Sequence, residues 1–364
     1  MKHKFIATVL SVGMLMISTM TVFAKNTNPV GAVYSMTNVS NGNSVVVFSR
    51  DEEGILTNIG SVLTGGKGSG GGFDPLASQN SLVLSHDHRW LLAVNGGSNE
   101  LSLFRVLPDG LELADKVASG GTFPVSVTVD QNLVYVLNAG PSPNITGFNL
   151  SQRGHLTPLS NSTRSLVSTG AFSQIGFDPE GNKLVVTDRA ESQIIVYSVS
   201  DDGLPAATPV TSASNGKVPF GFIFDERGRL VVVEVGPDAV STYNILPNDT
   251  LQVISGSVVN GQKAACWIAG NERGDIFTTN PGSGTISSYN LMPQNGQVSL
   301  LNATDRRGNK PLDLGITSDG RFLYALDPGS GNVDMFRIER DGSLSNLGVV
   351  YGQFALFAQG IAVR

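Results

Sequence analysis

The chain of 364 residues contains one cysteine, Cys266, so no intramolecular disulfide can form. Its stability has to come from packing. Histidine is almost as scarce, at four residues, so where they fall decides whether a His-rich zinc centre is open to the chain. An excess of basic residues is also missing: the formal charge is −6, which disfavours nucleic acid as a partner. The one long apolar run, Phe5–Ile17, has 13 residues and is too short to span a membrane. It follows Lys2 and Lys4 and precedes a small-x-small site at Val22-Phe23-Ala24. Residues 1–24 are therefore read as a secretory signal peptide. Cleavage near Ala24 takes the charge from −6 to −8, and the mature protein is expected to be secreted or periplasmic. No cysteine follows the apolar run, so a lipid anchor is not expected. Gly65-Gly66-Lys67-Gly68-Ser69 lacks the spacing of a phosphate loop and reads as a flexible connection. No cofactor is expected.

What the chain has instead is repetition. Residues 311–352 contain four short apolar runs separated by Ser318-Asp319-Gly320, by Asp327-Pro328-Gly329 and by Arg340-Asp341-Gly342. Runs of that length between such turns are strands of an antiparallel meander. The aromatic of the third run recurs at Phe48, Phe104, Phe148, Tyr197, Tyr243, Tyr289 and Phe336, at spacings of 56, 44, 49, 46, 46 and 47. Seven copies at this period predict an all-β, seven-bladed β-propeller. The N-terminal copy starts at its second strand, residues 31–38, and residues 358–364 supply a lone first strand. Joined, they complete blade one and close the ring without an exposed sheet edge. Residues 25–364 are thus read as a single domain, expected to be a monomer. The abundance of glycine, 43 residues, with only 15% charged residues suits such a turn-rich protein.

The meander sorts every loop onto one of two faces. Turns inside the first–second and third–fourth strand pairs lie on one face. The second–third loops and the blade-to-blade connections lie on the other, around the channel mouth. His86, His88 and His155 all fall in turns of the first kind, so no histidine is available as a base at the mouth. The connections at the mouth carry Lys67, Arg164, Lys217, Lys263, Arg306, Arg307 and Lys310, against Asp74 and Asp305 alone. A basic mouth on an acidic protein suggests a small anionic molecule or an anionic glycan as ligand; the alternative is that these side chains only solubilise the loops. Gln174, Gln262 and Asp313, in first strands or in the connections that feed them, join Lys67, Arg164, Lys217, Lys263 and Lys310 as ligand-binding candidates. Trp267 is read either as a stacking platform for a sugar or as packing between blades. Cys266 reads as a small buried hydrophobe.

The repeat units 177–204 and 317–344, together with the split first blade, resemble the seven-bladed lactonase-type propellers. That group includes 6-phosphogluconolactonase and the carboxymuconate-lactonising enzymes. The resemblance implies an active site made of a His, an Arg, a Glu and a second Arg. In register these positions fall on Ser173, Phe220, Glu234 and Pro281, so only the Glu is kept. Two functions remain open. One is a binding or scaffold propeller with no hydrolytic centre. The other is a divergent lactone hydrolase, with Glu234 as general base and Lys217 or Lys263 stabilising the oxyanion.

Overall fold

A computed structural model describes residues 29–305 and 310–364. Among them there is no helix, and none long and apolar enough to cross a membrane. The proposed signal peptide and Arg306 and Arg307 lie outside the described residues. The strands form seven antiparallel sheets, each a four-stranded meander, with a fifth short strand, Arg164–Ser165, added to blade three. The first strands are Leu82–Leu84, Pro124–Asp130, Phe172–Phe177, Pro219–Phe224, Ile268–Gly270 and Leu314–Ile316 for blades two to seven. Ile361–Val363 serves blade one by pairing with Gly31–Met36, in the register Val33↔Val363 and Ser35↔Ile361. Each first strand touches the next around the ring, so the seven-bladed propeller is closed as the two half-blades require.

The repeat exists because a single blade cannot bury its own faces. The seven third-strand aromatics are each at most 1% exposed, sandwiched between neighbouring sheets. Tyr135 and Tyr324 reach further and donate their hydroxyls to the carbonyls of Gly203 and Gly54 in adjacent blades, at 2.7 and 2.9 Å. The outermost strands carry most of the exposed apolar residues, such as Ile59, Leu63, Val253 and Tyr351. In five blades a bulge interrupts the pairing of that outer strand, as between Val47 and Phe48. A bulge twists an edge away from edge-to-edge association.

The channel holds the main departure from expectation. The glycine-rich connection 65–80 is not a loose excursion but a plug inserted into the ring from the mouth. Leu76, Ser78 and Gln79 are buried. The Ser78 hydroxyl donates to the carbonyl of Val125 in blade three, at 2.7 Å. The Gln79 N–H donates to the carbonyl of Ser173 in blade four, at 3.0 Å. Its side-chain amide meets blade six, donating to the Ile268 carbonyl at 2.7 Å and accepting from the Ile268 N–H at 3.0 Å. Contacts with first strands on several sides place this segment on the ring axis. Gly65, Gly70 and Gly71 have φ of 75°, 58° and 101°, a region open to glycine at little cost, and these let the chain fold inward. The first strand of blade six starts at Ile268, and Cys266 and Trp267, just before it, still exchange backbone hydrogen bonds with Thr279 of the second strand.

Candidate functional site

The last residue of each second strand in blades two to seven is polar: Asn95, Asn138, Asp188, Glu234, Asn280 and Asp327. All six are fully buried. Each turns toward the connection that enters its blade and partners groups the connection would otherwise bury unpaired. Thr64 donates to Asn95, Asn138 donates to the Ser119 carbonyl, and Asn260 donates to Asn280. The N–H groups of Ala171 and Lys310 donate to Asp188 and Asp327. Glu234 occupies this slot in blade five. Its Oε1 accepts from the Ser214 hydroxyl at 3.1 Å, the Gly216 N–H at 2.7 Å and the Tyr243 hydroxyl at 3.0 Å. Its Oε2 accepts from the Ser257 hydroxyl at 2.6 Å. Burial, followed by the field of Glu234, pushes the Tyr243 phenol up to about 12, so it remains a donor. A Cβ on Gly216 would stand 2.2 Å from Oε2, and glycine at that position leaves the room the carboxylate needs.

The other sequence candidates divide into two sets. Arg164 donates to the carbonyls of Ala206, Asn161, Thr163 and Pro205, in an outer strand away from the axis. Gln174 is buried and clamps Phe222, donating to its carbonyl at 2.9 Å and accepting from its N–H at 2.7 Å. Gln262 accepts from the Thr285 hydroxyl at 2.9 Å. Trp267 is fully buried, edge-on to Phe220 at 5.2 Å, with its indole N–H donated to the plug at Ser78; that is packing, with no free face for a sugar. Lys67, Lys217, Lys263 and Lys310 form the second set. They are exposed and make no ion pair with a described residue. Lys310 lies over the Phe73 ring at 4.8 Å. The three histidines sit in turns of the opposite face as expected, and His155 lies 3.8 Å from Asp115.

The centre of the mouth brings together Asp74, which the charge count of the connections included, Asp313, already a ligand candidate, and Arg189, which that count passed over. Asp74, on the plug, is half-buried and accepts from Gln359 Nε2 at 2.9 Å. Gln359 also donates to the Ser78 carbonyl at 2.8 Å and accepts from the Leu76 N–H at 3.1 Å. Asp313 lies buried nearby, its Oδ1 accepting from the Leu314 N–H at 3.1 Å. Burial pushes the Asp74 carboxyl up to about 7, against the opposing pull of Arg189 and Gln359. Burial pushes Asp313 up to about 8, with the Asp74 charge adding to the rise. Arg189, half-buried in the loop after the second strand of blade four, keeps a buried Nε with no hydrogen-bond partner. Its charge also acts on Cys266, whose thiol burial raises well above the ordinary value and so leaves unreactive. The signal for Arg189 was its place in a second–third loop, which the topology also sends to the mouth.

On the opposite face a cleft of about 320 Å³ opens among the first–second turns of blades five to seven, lined by Phe224, Arg227, Arg229, Ile276 and Ile316. Arg229 is already committed there to Asp225 and to the Pro293 carbonyl. Among the described residues no group of three or more His, Cys, Asp or Glu is placed to hold a metal ion.

Solved structures of the same architecture are numerous. A putative 6-phosphogluconolactonase from Bacteroides fragilis superposes with a TM-score of 0.74 at 16% identity, covering 92% of this chain and 98% of that one. A periplasmic gluconolactonase from Pseudomonas aeruginosa gives the same TM-score, identity and coverage. A Lactobacillus plantarum protein superposes with a TM-score of 0.75 at 17% identity, covering 92% of this chain and 99% of that one. At these identities the likeness is one of fold. None of the curated proteins matches the chain. The family model described as a seven-bladed β-propeller lactonase matches residues 22–166 and 236–353. The intervening residues carry Ser173, Arg189, Phe220 and Glu234. The match spans well over half the sequence, and the chain belongs to the seven-bladed β-propeller lactonase family.

Proposed function

We propose that this protein is an exported binding or scaffold propeller that takes a small anionic molecule or anionic glycan at its channel mouth, without lactone hydrolysis. The observation that carries the reading is the state of the Glu234 carboxylate. It is fully buried and bound by four donors of its own chain, so it does not meet the substrate water that a general base must reach. Ser173, Phe220 and Pro281, at the positions where the resemblance implies the other catalytic residues, offer no acid–base group of their own strength. The exposed Lys67, Lys217, Lys263 and Lys310 support an electropositive rim. The signal-like residues 1–24 support export to the periplasm or beyond, and residues 25–364 act as one monomeric domain.

A ligand panel tests this. Anionic sugars and sugar acids bind, and their affinity falls as salt rises, because exposed charges are screened over about 10 Å at 0.1 M. A panel that returned only neutral or cationic binders would contradict it.

A further inference from the structure

We propose that the centre of the mouth is a binding site for a small apolar or aromatic monocarboxylate. In it Arg189 is the cation, Asp74 the hydrogen-bonding acid, and Phe73, Phe220, Val235 and Ala264 the apolar wall. The proposal rests on the anion-binding reading and names its ligand class and its cation.

Three independent features converge. The first is the guanidinium. Arg189 has a buried Nε without a hydrogen-bond partner, and a buried donor left unpaired is destabilising. A carboxylate is the natural acceptor, since it meets the guanidinium fork with two parallel bonds. The second is the wall. Phe73, Val235 and Ala264 are half-buried against the cluster of Phe220, Cys266 and Trp267, while Asp74 directly follows Phe73 and both Asp74 and Arg189 act on Cys266. Charged and apolar side chains are thus gathered around Cys266, beside the plug. The third is the charge balance. Burial raises both Asp74 and Asp313, and the Asp74 charge raises Asp313 further, which favours their neutral forms. A neutral Asp74 donates its O–H to a carboxylate that Arg189 has already balanced. A dianion such as phosphate would bring a second negative charge to two acids able to ionise, and is disfavoured.

The arrangement makes binding depend on pH. The groups facing Asp74 are Arg189 from blade four, Asp313 from blade seven, Gln359 from the closing strand and Cys266 from blade six, with Lys310 over the adjoining Phe73 ring and Asp238 acting on Cys266. The change comes from the two acids. As pH rises through their raised values, the donor is lost and like charge appears.

Isothermal titration of the full chain with sodium benzoate tests the site, with benzyl alcohol and inorganic phosphate as comparators. At about pH 6 benzoate binds saturably and at least roughly tenfold more tightly than either comparator. Arg189→Gln lowers benzoate affinity by about tenfold or more, with an unchanged near-UV circular dichroism spectrum. Affinity falls about tenfold between about pH 6 and pH 9 in the wild type. Asp74→Asn, neutral at every pH, binds more tightly than wild type at the upper end. Absence of benzoate binding overturns the proposal. Benzoate binding that Arg189→Gln leaves unaltered also overturns it, while the broader anion-binding reading then stands on the rim lysines.

Discussion

The indole N–H of Trp267 donates to the carbonyl of Ser78 at 2.9 Å, across 189 residues of sequence. One belongs to blade six and the other to the connection entering blade two. The bond pins the plug to the wall of the channel, and it makes Trp267 a reporter. The chain has one other tryptophan, Trp90, buried in blade two.

Gln359 is the second pin, and its loss is predicted to be costly. Gln359→Ala removes three hydrogen bonds: it orphans the Leu76 N–H, costs the Asp74 carboxyl its side-chain donor and leaves the Ser78 carbonyl with the Trp267 indole alone. A destabilisation of about 2–4 kcal/mol follows from leaving such groups buried and unmet. In a Trp90→Phe background, the Trp267 emission shifts to the red as the plug loosens. Chemical denaturation and fluorescence of the same variant check both outcomes, and an unshifted spectrum with wild-type stability would contradict the pin.

The closing strand makes a second prediction. Deleting residues 358–364 removes the first strand of blade one and Gln359 together. It exposes the edge of the Gly31–Met36 strand, and such edges invite association. The truncated protein is expected to melt far lower or to aggregate, as read by thermal denaturation and light scattering. A soluble monomer with an unchanged melting temperature would mean the ring does not depend on this closure.

The raised carboxyls set a third. Asp74 and Asp313 have folded-state values of about 7 and about 8 against an ordinary aspartate value of about 3.8, so the folded state holds protons that the unfolded state releases. The sign follows from linkage: stability from these groups is fullest below about pH 4, declines as pH rises and is gone above about pH 8. The effect is on the order of a few kcal/mol. Asp313→Asn flattens the decline between about pH 6 and pH 9. Melting curves of wild type and variant across that window check it; parallel curves would contradict it.

The histidines give a fourth, in the opposite sense. His86 and His155 are exposed and His88 has φ 55°. His86→Ala, His88→Asn and His155→Ala together change stability by less than about 1 kcal/mol, asparagine being chosen because it tolerates that φ. Ligand binding at the mouth is unchanged. Lost binding would move the site to the other face.

Much of this was legible in the sequence. The third-strand aromatic period, the Asp-Gly and Pro-Gly turns and the split first blade are enough to reach seven blades, their closure and the face of each histidine. The plug was not, because residues 73–81 have no strand period and glycine-rich stretches read as slack. Length was the available hint, since a connection of this size in a compact domain usually has a job. Glu234 read as a retained catalytic residue when compared with a family. Compared with its own repeats, it stands in the slot of Asn95, Asn138, Asp188, Asn280 and Asp327, the comparison on which the proposed structural role rests. Arg189 escaped notice because only the blade-to-blade connections were counted for charge, although the same topology sends second–third loops to that face.

The most direct test of the account is lactone turnover by the wild-type protein beside Glu234→Gln. The panel comprises aldonolactones, phosphorylated and plain, and carboxylated lactones, each compared with buffer. The account predicts no turnover by either protein. It also predicts that Glu234→Gln is less stable by about 2–4 kcal/mol, because an amide N–H₂ then faces donors. Wild-type turnover that drops by roughly 10²–10⁴ in a folded Glu234→Gln protein, the loss typical of a missing general base, would contradict it.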